Sequence, residues 1–500
     1  MIPLPTACPT CKAPGILYSV GVIRSAFPRV GECGDLGAGS EGTVSFAEHC
    51  GGRDVAAHAT MGERLVDQCV ASPGGGRLKR GYRGLAFLLV NEMLMHRLRL
   101  PFILCCWLVL GLLVCAQAAT LHVSTSGSDG NPCTQAAPCR TIQHGITILS
   151  SGDTLTIHGG TYAENHFTPP SNVTVRGATG ETVIIRPTSG ANDPCFELNA
   201  GVTNTTIRNL TCDGANQIFS YGIRVFGTDN LIEDVEIAYP RNQGLALFCA
   251  NGNTQGCGHG GNTLRRVHSH HAGQGSAGCN GTSPGPGFCH GVYAYNDDNV
   301  IDGGEYDHNN GWGVQTYGFN LTLKNAVVHE NFSGGLTVPG SVSAYNSVFW
   351  GNDPTGNNAT VWSSNSQSFY RSLTIANNGG IGLYFPSGTS SSTVVQNVIS
   401  VNNSPNVSNA PGVTIQASIT SGSVAFTNQA NHDYSLTASA TNAIDKGLTL
   451  GAPYNTDILG NTRPTGSVYD IGAYEFGSAP PAPVLPAPTN LRVTKTPGSP

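Results

Sequence analysis

Between residues 204 and 402, short apolar or β-branched stretches alternate with Gly- and Asn-rich turns. Lines begun at Asn204, Asn230, Asn262, Asn299, Asn320, Ser341, Ser366 and Ser391 are 21 to 37 residues long and fall into register. Each opens on a strand-like stretch, such as Leu231-Ile232 or Leu321-Thr322-Leu323. Eleven places along, the column reads Ala215, Arg241, Gly273, Asn310, Asn331, Asn352, Asn377 and Asn402. Nine places along it reads Asp213, Tyr239, His271, His308, His329, Trp350, Ile375 and Ser400. Strand-like content repeating at this period predicts a solenoid in which successive coils stack. A turn Asn can bond the backbone and its stacked neighbours, so the Asn column reads as structural.

Ahead of these lines, Ile142, Ile146 and Leu149 recur at helical spacing, which predicts a short helix over residues 141–149. Gly152-Asp153 then turns into a strand over 154–158. A helix there would close the first coil, whose open edge otherwise invites aggregation. The long lines hold two insertions, 248–261 and 273–290, expected to project as walls of a groove.

Composition agrees with many short strands and tight turns: 65 Gly, 30 Pro and only 11 % charged residues. Residues 120–477 carry 12 Lys and Arg against 23 Asp and Glu. This acidic body argues against nucleic acid as a partner. It also disfavours a polyanion unless a cation or a local basic cleft offsets the charge.

Residues 95–118 combine Arg97 and Arg99, an apolar run from Phe102 to Cys115, and Ala116-Gln117-Ala118. That is the pattern of a cleaved signal peptide, and the run is short for a membrane span. Residues 1–94 are then read as a non-native or disordered extension, with translation starting at Met93 or Met95. A cytosolic extension ahead of a retained anchor is the competing reading. After cleavage the protein is expected to be extracellular or on the cell surface, monomeric and free of the membrane. Eight Cys follow the signal, an even number that suits disulfides in an exported chain. Sequence-adjacent pairing would join Cys133 to Cys139, Cys249 to Cys257 and Cys279 to Cys289, with Cys195–Cys212 a further candidate. A zinc site built from Cys249, Cys257, His259, Cys279 and Cys289 is the alternative, although no CxxC pair is present among them. Residues 478–500 form a Pro-rich linker, and Thr489–Thr494 resembles the first strand of a fibronectin type III domain that the sequence does not continue.

Two stretches resemble a known architecture. VSTSGSDGNPCTQAAPCRTIQHGI (123–146) and SGDTLTIHGGTY (151–162) resemble the N-terminal cap of secreted right-handed parallel β-helix proteins of the pectate-lyase-like superfold. Asp445-Lys446-Gly447, the stretch 457–464 and the stretch 469–475 resemble the terminal segment of bacterial surface β-helix proteins. The resemblance covers residues 119–477 and implies an all-β, right-handed parallel β-helix with a short N-terminal capping helix. This fold hosts several chemistries, so the resemblance does not choose among them.

The ninth-place column is the candidate site. His271, His308 and His329 would stack about 5 Å apart, with His268, His270, Glu305, Asp307 and Glu330 nearby. Eliminative cleavage of a polyuronate needs a base, a neutraliser of the substrate carboxylate and an acid for the leaving oxygen. His271, His308, His329, Tyr306 and Arg241 are the candidates for those roles. Tyr239, Trp350, Arg265 and Arg266 are candidates for holding sugar. Asp297, Asp298, Asp302 and Asp307 could hold Ca²⁺, a cation that prefers oxygen ligands. Tyr306-Asp307-His308 is similar to the Asp/His/Tyr sites of β-helix uronate epimerases but lacks their full motif. The Lys- or Arg-plus-Ca²⁺ pattern of pectate lyases is not found. Hydrolysis by paired carboxylates, as in β-helix polygalacturonases, would fall to Asp297-Asp298. Two expectations result: a lyase or epimerase acting on an extracellular polysaccharide, or a non-catalytic surface module that binds one. Register repetition alone can also stack like side chains.

Overall fold

The computed structural model describes residues 118–188, 193–214, 219–250, 257–274, 287–364, 366–408 and 412–477. The expected extension, nearly all of the signal segment and the Pro-rich linker lie outside them. Almost every described strand is short and pairs in parallel with strands one coil away. The architecture is the parallel β-helix expected from the sequence.

Each full coil contributes to three parallel sheets, the first and middle of which are continuous through Thr206–Asp213 and Leu231–Ala238 as one 20-stranded array while the third has nine strands. In the coil of Leu231–Ala238 that strand serves two of them and Leu245–Leu247 the third. Strand residues alternate between the interior and the outer face. Leu155, Val175, Ile207, Ile232, Leu264, Ile301, Leu323, Ala344, Tyr370 and Val395 are aligned by pairing from coil to coil, and all are fully buried. Each large apolar member removed from water contributes about 1.5–3 kcal/mol.

The predicted helix is present as Ile142–Thr147, α1. Thr141 Oγ1 accepts from the His144 amide, and Glu164 accepts from the amides of Ile142 and Gln143, satisfying donors that a helix start leaves orphaned. Ile142 and Ile146 face the core, and a Cβ on Gly145 would lie 2.7 Å from Leu155. A second cover lies along the outer side of the later coils. Residues 424–473 lay Val424, Tyr434, Leu436, Ala440, Ala443, Ile471 and Ala473 against Val348, Trp350, Ala376, Ile399 and Val401. Arg463 is fully buried within this segment, pairing with Glu475 at 3.3 Å and donating to the carbonyls of Asp470 and Gly472.

The Asn ladder exists, one residue away from its expected place in three of five coils. The stacked residues are Asn309, Asn331, Asn352, Asn378 and Asn403. Each side-chain oxygen accepts from the amide of the preceding ladder residue, and Asn309 Oδ1 accepts from Ala272 N. Asn310, Asn377 and Asn402 stand beside the ladder. A second ladder links Thr205, Asn230, Asn262 and Asn299 at another corner.

Disulfides join Cys133–Cys139, Cys195–Cys212 and Cys249–Cys257. Cys289 is also disulfide-bonded, while Cys279 lies outside the described residues. These bonds consume the thiolates that a zinc site there would need.

Candidate functional site

Strand pairing corrects the ninth-place column. His270 pairs with Asp307, Asp307 with His329, and His329 with Trp350. Two places earlier, Glu236, His268 and Glu305 align. Both columns lie on the outer face of the middle sheet, since Ile237, Ser269, Tyr306 and Val328 between them point inward and are fully buried. The next residue in each coil, Tyr239, His271, His308 and Glu330, forms the corner. His271 and His308 therefore share a column with Glu330, and His329 belongs one place earlier.

All four corner residues have left-handed backbone, with φ of 54°, 57°, 50° and 51°. Gly351, Asn377 and Asn402 occupy the same corner in later coils. That conformation costs roughly 1–2 kcal/mol for an ordinary residue and suits Gly or Asn. The earlier coils thus present Tyr, His and Glu side chains at a position whose backbone favours something else.

The strip alternates imidazole and carboxylate from coil to coil. Glu236 accepts from Thr211 Oγ1 at 2.9 Å and lies 3.2 Å from His270 Nε2. Asp307 lies 2.7 Å from His268 Nε2 and 2.6 Å from His308 Nδ1. Glu305 lies 2.7 Å from His329 Nε2. Glu330 Oε2 lies 3.1 Å from His329 Nδ1 and 3.3 Å from His308 Nε2. The His271 and His308 rings stack 4.8 Å apart, and Tyr239 packs on His271 at 4.6 Å.

These neighbours pull the ionisable groups apart. Burial works against the Asp307 charge, but hydrogen bonds from His268 and His308 outweigh it and hold that carboxyl well below the usual range. The Asp307 hydrogen bond raises His308 above an ordinary imidazole. Burial opposes the same effect at His268, where the Asp307 bond still prevails. The hydrogen bond with His329 holds Glu305 down. Burial, then the neighbouring His270 and His308, lowers His271 to about 4. The strip thus sets a neutral imidazole against one that favours its proton, the separation that acid–base chemistry uses.

Several expected site residues stand elsewhere. Tyr306 is wholly buried with its hydroxyl unpartnered among the described groups, so it reaches no polymer. Trp350 is stacked between His329 at 4.1 Å and His432 at 3.6 Å, leaving neither ring face for a sugar. Arg265 and Arg266 pair with Glu233 and Asp234 on the neighbouring sheet, outside the strip. Arg241 follows the Tyr239 corner, and its amide donates to Phe219 O. The four aspartates do not gather into a calcium site. Asp297 accepts from the Phe319 amide, Asp298 binds His259 and Asn320, and Asp302 pairs with Lys324. Only Asp307 belongs to a cluster of three potential ligands among the described residues. Glu236 and His432 escaped the sequence reading. Glu236 occupies the position of His268 and Glu305 and is found once the coils are aligned, whereas His432 arrives from a segment outside the repeat.

No protein-family model matches the sequence, and no curated protein matches it. Among solved structures, pectate lyase Pel9A superposes with a TM-score of 0.55 at 15 % identity, covering 72 % of this chain and 97 % of that one. A rhamnogalacturonan lyase gives a TM-score of 0.46 at 13 % identity, over 61 % of this chain and 88 % of that one. The A-module of the mannuronan C-5 epimerase AlgE6 from Azotobacter vinelandii gives 0.36 at 16 % identity, over 59 % and 96 %. What Pel9A shares with this chain is the fold.

Proposed function

We propose that the protein acts on an acidic polysaccharide outside the cytoplasm, by lyase- or epimerase-type proton transfer along the strip from Glu236 to Glu330. The observation that carries this reading is the outward set His268, His271, His308 and Glu330, ionisable and partly exposed on one edge of a rigid coil. A neutral His271 beside a proton-holding His308 supplies a base and an acid within one stacked pair. Tyr239 extends this edge with an aromatic ring suited to a sugar. The Pel9A fold supports the reading, since that protein is a pectate lyase. The disulfides support action in an oxidising compartment. Among the described residues no helix is long and apolar enough to cross a membrane.

The test is a panel of polyuronates incubated with the wild type and His271→Ala. Unsaturated products form on elimination, and exchange of the C5 proton with solvent reports epimerisation. The reading expects one signal from the wild type and its loss in the variant. Binding without either signal would favour the non-catalytic surface module, and full activity in His271→Ala would remove that residue from the chemistry.

A further inference from the structure

The corner where His308, His329 and Glu330 meet is arranged as a ligand set. Glu330 Oε2 lies 3.1 Å from His329 Nδ1 and 3.3 Å from His308 Nε2, and the three atoms lie within 4.8 Å of one another. In a tetrahedral site with bonds of about 2.0 Å, ligand atoms are about 3.3 Å apart. The opposite nitrogen of each ring is already engaged. His308 Nδ1 is held by Asp307 at 2.6 Å, and His329 Nε2 by Glu305 at 2.7 Å. A carboxylate on the outer nitrogen fixes the tautomer, leaves the inner nitrogen as a lone-pair donor and increases its basicity. The rings are also clamped: His271 stacks on His308, and Trp350 on His329 at an interplanar angle of 7°. Glu330 is exposed, so one side of the set remains open to solvent.

We propose that His308, His329 and Glu330 bind one first-row divalent transition-metal ion, with Asp307 and Glu305 as the outer carboxylates that orient the two imidazoles. Two imidazoles and one carboxylate suit Zn²⁺ and its neighbours better than Ca²⁺, which takes six or more oxygen ligands. The ion would leave a coordination position toward solvent. Resting on the polysaccharide reading, the bound ion takes the place of the proton that His308 carries in the metal-free strip, its open position is where a uronate carboxylate docks, and it offsets the negative charge of the strip. The binding itself does not depend on that role.

Untagged full-length protein, its free thiols alkylated and its metals stripped with EDTA, is titrated with Zn²⁺ by calorimetry. Co²⁺ is added in parallel and followed by its visible absorption. One Zn²⁺ per chain and tetrahedral Co²⁺ bands are expected. Glu330→Asn should weaken Zn²⁺ binding at least 100-fold while folding normally, because that corner is Asn in two later coils. Glu305→Gln, which touches only the outer nitrogen, should weaken it 10- to 100-fold. Asp298→Asn, part of the separate His259 cluster, should leave it unchanged. Absence of stoichiometric Zn²⁺ binding, or unchanged binding in Glu330→Asn, overturns the proposal. Stoichiometric binding with no turnover on any polymer upholds the metal site and counts against the polysaccharide reading. Turnover that persists with no Zn²⁺ bound does the reverse.

Discussion

The outer face of the middle sheet carries two surfaces on one backbone. Over 348–401 its outward side chains are Val348, Trp350, Thr374, Ala376, Ile399 and Val401, and residues 424–473 cover them. Over 236–330 the same positions hold Glu236, His268, His270, Glu305, Asp307 and His329, with Ala238 at one end and Val327 at the other. Inward residues fix the coil in both halves. Outward residues are therefore free to make a second core in one half and an ionisable strip in the other. The seam is Trp350, with the last strip imidazole on one face and His432 from the covering segment on the other.

The largest losses of stability are expected in the covered half. Arg463→Ala should cost about 3–5 kcal/mol, because it strands buried Glu475 without its counter-charge. Urea unfolding measures this, and a loss below 1 kcal/mol would mean the covering segment contributes little. Ile399→Ala should cost about 2–4 kcal/mol by leaving a cavity under that segment. In the open half, Glu330→Asn should leave stability unchanged or raise it by up to about 1 kcal/mol, since Asn suits the left-handed corner. Arg265→Ala, on the ion ladder of the adjacent sheet, should cost no more than about 1 kcal/mol and leave the strip's chemistry intact.

Proton titration sharpens the same contrast. His290 is fully buried, and burial lowers it to about 3. Its folded value lies below its unfolded one, so its stabilising contribution is complete above about pH 6.5 and is lost as pH falls toward 3. His308 is raised by Asp307, so its contribution is complete below about pH 6.5 and is lost as pH rises through the folded value. Imidazole proton shifts in NMR should show His308 titrating above the ordinary value and His290 staying neutral down to strongly acidic pH. A His290 that titrates normally would mean that its site admits water.

The repeat itself was legible from the chain. So were the capping helix, the sequence-adjacent disulfides that can be seen, and the region holding the strip. The exact columns were not. Insertions change the coil length from one turn to the next, and register is set by backbone pairing that a fixed offset cannot follow. The doublets Asn377-Asn378 and Asn402-Asn403 show how the slip arises: one member joins the ladder and the other makes the left-handed corner. His270-His271, Asp307-His308 and His329-Glu330 divide one step earlier, between strand end and corner. Reading the first and second members as one column mixed the two. Tyr306 was misplaced for a related reason, because strand alternation turns it inward between Glu305 and Asp307.

The proposed function places proton transfer in the open half and not in the fold as a whole. The most direct measurement is the turnover rate on the best polyuronate for three matched variants: His308→Ala in the strip, Thr374→Val beneath the covering segment and Arg265→Ala on the ion ladder. Proton transfer along the strip requires a loss of at least 100-fold in the first and near wild-type rates in the other two. Equal rates in all three would contradict it.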